Sequence, residues 1–136
     1  MAKVAVVFWS GTGNTETMAN LVADGAKNKG AEVDVISAGS FSADAAAAYD
    51  AIAFGCPAMG DEILEEDEFQ PMWDEVSGAL EGKTVVLFGS YDWGDGDWMR
   101  TWEAEAPCAI KATYICNLTP DDEAEAACVA LGEQLV

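Results

Sequence analysis

The sequence predicts an α/β protein built on a five-stranded parallel sheet with helices on both faces. Three observations lead there. Short apolar runs alternate with stretches of helical period from one end of the 136 residues to the other. The runs are nearly continuous in valine, alanine and isoleucine, as strands covered on both faces must be. No linker, repeat or shift of composition interrupts the chain, so one domain, 1–136, with a single core is expected.

Lys3–Phe8 reads as the first strand. Thr15–Lys29 follows helical spacing, with Met18, Leu21, Val22 and Ala26 on one side and Gly30 as the stop. Glu32–Ile36 is a second strand, and the alanine-rich Ser42–Tyr49 a short helix begun by Ser42 or Asp44. Ala51–Gly55 is the third strand. Cys56–Asp67 is a long loop that turns sharply acidic, and Phe69–Leu80 is helical after a break near Pro71. Thr84–Phe88 is the fourth strand, Gly89–Gly96 a glycine-rich loop, and Asp97–Ala106 a helix with Trp98 and Trp102 one turn apart, which assigns both to the core. The fifth strand falls at Ala112–Cys116. The last helix is expected to have Thr119 as cap, Pro120 at its first position and Asp122 two further on, then a stripe of Ala124, Ala127, Cys128, Leu131 and Leu135.

Six basic residues against 25 acidic ones give a net charge of −19. That field repels phosphate backbones and anionic membrane surfaces, so nucleic acid and lipid are poor partners and basic protein surfaces better ones. Solubility alone accounts for the total charge equally well. No segment approaches the roughly 18 consecutive apolar residues of a membrane span. The start, Met-Ala-Lys running into a strand, does not resemble a signal peptide, and a cytoplasmic location is expected. The four cysteines, Cys56, Cys108, Cys116 and Cys128, lack the spacing of a metal site and read as free thiols. The absence of histidine removes the commonest proton shuttle.

The most informative segment follows the first strand. Ser10-Gly11-Thr12-Gly13-Asn14-Thr15 offers three hydroxyls, an amide and two glycines just before a helix, where backbone N–H groups and the helix dipole favour an anion. It lacks the lysine of a nucleotide-hydrolysing P-loop, and Glu16 breaks the dinucleotide pattern G-x-G-x-x-G. A loop without a cation suits a terminal monophosphate held by N–H and O–H donors.

Trp9 to Glu16, Trp-Ser-Gly-Thr-Gly-Asn-Thr-Glu, resembles the phosphate loop of short-chain flavodoxins from anaerobic bacteria, and the resemblance runs over essentially the whole chain. It implies a three-layer flavodoxin-like fold with strand order 2-1-3-4-5. It also implies a monomeric carrier of single electrons at low potential, substituting for ferredoxin, with bound FMN and no substrate chemistry. Trp9, Ser10, Gly11, Thr12, Gly13, Asn14 and Thr15 would hold the phosphate end.

Two further loops match. Pro57, Ala58, Met59, Gly60, Asp61 and Glu62 would line the inner face and N5 edge of the flavin ring. Met59 would pack on the ring, Gly60 would allow a peptide flip that stabilises the neutral semiquinone, and Glu62 would accept from N3–H. Outside this motif Met59 reads as an ordinary core methionine. In Gly89, Ser90, Tyr91, Asp92, Trp93 and Gly94, Trp93 would stack on the outer face; the alternative folds it back onto the core. Asp92 stands where relatives often have glycine, and a carboxylate there would repel the reduced, anionic ring. The stretch from Trp98 to Pro120 is shorter than usual, so the fourth helix is expected to end at Pro107.

Asp61, Glu62, Glu65, Glu66, Asp67 and Glu68 form an acidic strip beside the first of these loops, with Asp92, Asp95 and Asp97 on the other side. Such charge would steer basic redox partners, of the pyruvate oxidoreductase, hydrogenase or flavin reductase type; a solvated loop is the plainer reading. A receiver domain is excluded by Phe54-Gly55 where its acidic phosphoacceptor would stand. A flavodoxin-like FMN reductase or quinone reductase remains the alternative.

Overall fold

The computed structural model describes residues 2–11, 13–59, 63–91 and 96–136. Strands β1 (Lys3–Phe8), β2 (Glu32–Ser37), β3 (Ala51–Gly55), β4 (Thr84–Tyr91) and β5 (Ala112–Asn117) form one sheet in the order β2-β1-β3-β4-β5, every neighbouring pair parallel. This is the expected flavodoxin-like order. From β1 the chain first moves outward to β2 and then returns to the other side at β3. The crevice at the carboxyl ends of β1 and β3 is therefore the topological switch point where such sheets bind ligands.

The helices are α1 (Asn14–Asn28), α2 (Ala43–Ala46), α3 (Phe69–Val76), α4 (Asp97–Glu105) and α5 (Asp122–Glu133), with single 3₁₀ turns at Ala38–Ser40 and Ser77–Ala79. The two-residue period of the strands divides the core. Val4, Val6, Ala51, Ala53, Val86 and Phe88 face α1 and α5. Ala5, Val7, Ile52, Phe54, Val85 and Leu87 face the other layer, where Phe69, Trp73, Trp98 and Trp102 are buried. There the rings meet edge to face, Phe54 on Trp73 at 5.1 Å and Trp73 on Trp102 at 5.5 Å between centroids. Trp98 and Trp102 are thus core residues, as their spacing implies.

α1 and α5 pack backbone to backbone. A Cβ at Gly25 would lie 2.0 Å from the Val129 carbonyl oxygen, and one at Gly132 would lie 1.9 Å from that of Val22. This contact fixes the axis of α1, and with it the direction in which its N-terminus points.

Several boundaries differ from expectation. The Ser42 hydroxyl does cap α2, accepting the Ala45 N–H at 3.2 Å, but the helix spans only Ala43–Ala46. Pro71 makes no break: it occupies the first turn of α3, where an N–H has no intrahelical partner to lose. The cap of α5 is Asp121, which accepts the Ala124 N–H at 2.8 Å, and not Thr119. α4 ends at Glu105, just short of Pro107. All four cysteines are free, three of them buried.

Candidate functional site

The loop after β1 is held at both ends. The Trp9 N–H donates to the Gly55 carbonyl at 3.0 Å, and the Ser10 hydroxyl accepts the Gly13 N–H at 3.0 Å. Gly13 precedes α1 with φ +98°, a left-handed conformation that a side chain would strain. Among the described residues, no side chain caps the helix. The first-turn N–H groups of Asn14, Thr15 and Glu16 therefore remain available to a ligand, at the positive end of a 15-residue helix. Thr15 is buried, and its hydroxyl lies 3.2 Å from that of Ser90 on β4, which ties the start of α1 to the far wall of the site.

That far wall is strand and not loop. β4 continues through Gly89, Ser90 and Tyr91, pairing with Ile115, Cys116 and Asn117 of β5. Gly89 is required by a close approach: a Cβ would sit 2.2 Å from the Cys56 carbonyl oxygen. The segment after β3 runs against this wall, with the Cys56 N–H donating to the Phe88 carbonyl at 3.1 Å and the Ala58 N–H to the Ser90 carbonyl at 3.0 Å. The Trp98 indole N–H donates to the Cys56 carbonyl at 3.2 Å. Burial pushes the Cys56 thiol up to about 12, so it stays protonated, and its sulfur accepts the Glu65 N–H at 3.4 Å.

Glu65 is a correction to the acidic strip. It is 5% exposed and turns inward. Its carboxylate accepts the N–H groups of Glu68 at 2.7 Å and of Phe69 and Asp67 at 2.8 Å, starting α3. Burial raises its pKa, but the three donors outweigh that and hold the carboxyl below its ordinary value. Glu66, Asp67 and Glu68 are exposed, as a charged strip requires. The sequence gives no warning of this division, because all four residues belong to one acidic run.

Between the walls lies a cavity of about 220 Å³ lined by Trp9, Gly11, Asn14, Pro57, Ala58, Met59, Ser90, Tyr91 and Leu118. Eight of these nine were singled out from sequence; Leu118 was not. Ser10, Gly13 and Thr15 frame the helix end beside the cavity, and Gly89 lies behind it. Thr12, Gly60, Asp61, Glu62, Asp92, Trp93 and Gly94, also singled out, lie outside the described residues, as does Asp95 of the acidic strip. Leu118 has φ +59°, the only positive value outside glycine among the described residues, at a cost of about 1–2 kcal/mol for a residue with a Cβ. Nothing in a leucine after a strand signals that conformation.

A family model described as flavodoxin matches residues 6–132. The flavodoxin of Clostridium beijerinckii is 44% identical over 133 residues, 96% of each chain. That of Megasphaera elsdenii is 42% identical with the same coverage. The solved structure of the M. elsdenii protein in its two-electron-reduced form superposes with a TM-score of 0.87 over 96% of each chain.

The chain belongs to the flavodoxin family.

Flavodoxins are electron carriers that bind FMN and not catalysts of substrate turnover, and this chain is one of them. The reductase alternative is no better supported. The site fits the cofactor on its own geometry. FMN has an anionic end and a flat, largely apolar end. The uncapped start of α1 offers N–H donors, and the adjoining cavity offers Trp9, Pro57, Ala58, Met59 and Tyr91. Among the described residues, no lysine or arginine lines the cavity. Of the six basic residues, Lys3, Lys83 and Lys111 lie at the amino ends of β1, β4 and β5, and Lys27 and Lys29 at the end of α1 beside the start of β2. The sixth, Arg100 on α4, pairs with Asp97.

Proposed function

We propose that this flavodoxin binds FMN with its phosphate on the start of α1 and its ring in the cavity between the Pro57–Met59 segment and the end of β4. The observation that carries this reading is the uncapped N-terminus of α1 opening beside an apolar cavity. Bound FMN supplies one-electron redox chemistry. The chain's own residues bind, orient and shield it. The N–H groups of Asn14, Thr15 and Glu16 meet the phosphate, with Ser10 and Thr12 hydroxyls adding donors. The Thr15–Ser90 contact keeps the phosphate end and the ring end in register. Pro57, Ala58 and Met59 give one wall, pinned at Cys56 by Trp98 and at Ala58 by Ser90. Trp9 and Tyr91 add aromatic surface, and Gly60, Asp61, Glu62, Asp92, Trp93 and Gly94 complete the ring site.

The charge distribution supports a low potential and a choice of partner. The basic residues named above sit mostly at the amino end of the sheet, while Glu16, Glu66, Asp67, Glu68, Asp97, Asp121 and Asp122 cluster toward the carboxyl end. Adding negative charge at that end costs energy, which lowers the potential of the reduction that creates it. The same end attracts basic surfaces of redox enzymes, with pyruvate oxidoreductases, hydrogenases and flavin reductases as the partner classes. No described helix is long and apolar enough to cross a membrane. The whole chain, 1–136, acts as one domain, as a monomer in the cytoplasm and as a substitute for ferredoxin.

Titration of the apoprotein with FMN and with riboflavin tests the placement. FMN should bind at least about 100-fold more tightly, since the phosphate meets several charge-assisted hydrogen bonds. Equal affinities would remove the phosphate from α1.

A further inference from the structure

Leu118 is unfavourable for folding on two counts. Its backbone is left-handed, where glycine or asparagine would be accommodated more easily. Its side chain is also one of four exposed large hydrophobics among the described residues, with half its surface open. The bend itself is firmly built. The Leu118 N–H donates to the Tyr91 carbonyl at 2.7 Å, the Asn117 side-chain amide donates to the same oxygen at 3.1 Å, and the Leu118 carbonyl accepts from the Cys116 thiol at 3.7 Å. Both Tyr91 and Leu118 line the cavity. The chain thus leaves β5 through a turn locked to one wall of the site, and it places an aliphatic group at the rim.

We infer that Leu118 is an affinity determinant for the flavin: an apolar rim contact that covers part of the bound ring and is itself covered in return. The inference rests on the reading of the cavity as the FMN site. Strained residues persist where the surroundings impose them and function uses them. Here the Tyr91 carbonyl imposes the turn, and the cavity supplies a use for a side chain that water does not favour. The contact is assigned to the ring end because the lining residue that Leu118 is hydrogen-bonded to is Tyr91, at the end of β4, whereas the phosphate donors lie on α1.

The test compares Leu118→Gly, Leu118→Ala and the parent. Urea unfolding of each apoprotein reads the strain, and quenching of flavin fluorescence reads the dissociation constants for FMN and riboflavin. Leu118→Gly should unfold at a urea concentration equal to or above the parent's, while its FMN dissociation constant rises about tenfold. Leu118→Ala should lose a similar factor without the gain in stability. Riboflavin affinity should fall by the same factor as FMN affinity, marking a ring contact. FMN binding within about twofold of the parent in both variants would overturn the inference, since a tenfold change is only about 1.4 kcal/mol and readily resolved. So would a loss confined to FMN, which would point to the phosphate loop. A parent apoprotein that binds neither flavin would overturn the functional reading itself.

Discussion

Replacing Glu65 by glutamine removes a charge while keeping the size and shape of the side chain. In the parent, Oε1 accepts the Glu68 and Phe69 N–H groups and Oε2 accepts that of Asp67, all between 2.7 and 2.8 Å. A glutamine oxygen could keep the first two bonds in weaker, neutral form. Its NH₂ group would then face the Asp67 N–H, donor against donor. Two weakened charge-assisted bonds, and one lost at the part-buried Asp67 N–H, which water can partly satisfy, amount to about 2–3 kcal/mol. That is a large part of the roughly 5–15 kcal/mol by which a domain is stable. Urea unfolding of the apoprotein at pH 7 should show the loss as a lower midpoint with an unchanged slope.

The pH dependence gives a second check. The folded pKa of Glu65 lies below that of an unfolded glutamate, roughly 4.3. Its contribution is therefore fully present above that value and is lost as the pH falls through the folded pKa. The gap between parent and variant should be constant near neutrality and shrink in acid. Equal midpoints at pH 7, or a gap that widens on acidification, would show that the Glu65 carboxylate does not stabilise the start of α3.

Gly132→Ala should cost about 1–3 kcal/mol by urea unfolding, because the added Cβ meets the Val22 backbone, which cannot swing away. Asp92→Gly should raise the second reduction potential measured by spectroelectrochemistry, by removing the carboxylate that the sequence resemblance implies beside the reduced ring; an equal or lower potential would contradict this. Electron-transfer rates with a basic partner should fall as salt rises from about 10 to 300 mM, because the Debye length shortens from roughly 30 Å to below 10 Å. Rates insensitive to salt would remove the steering role of Glu66, Asp67 and Glu68.

What was legible in the sequence is what local chemistry decides. β1 and β3 are found at the residues expected because valine- and alanine-rich runs between polar ends admit little else. The helix after Gly13 and the cavity residues Trp9, Gly11, Asn14, Pro57, Ala58 and Met59 follow from motifs that each lie within one short segment. Features decided by distant parts of the chain were not legible. Gly89-Ser90-Tyr91 has the composition of a loop, yet β5 extends β4 through it, and the Cys56 carbonyl explains the glycine. Thr119 and Asp121 are both good caps, and the turn at Leu118 leaves the role to Asp121. Glu65 looks like its acidic neighbours until α3 returns three N–H groups to it.

The central claim is that this chain holds FMN and passes single electrons. The most direct test is the visible spectrum of the purified protein during stepwise anaerobic reduction. Oxidised-flavin bands that bleach in two resolved one-electron steps, the second at the lower potential, are the predicted result. A single two-electron step, or a colourless protein that cannot be reconstituted with FMN, would contradict it.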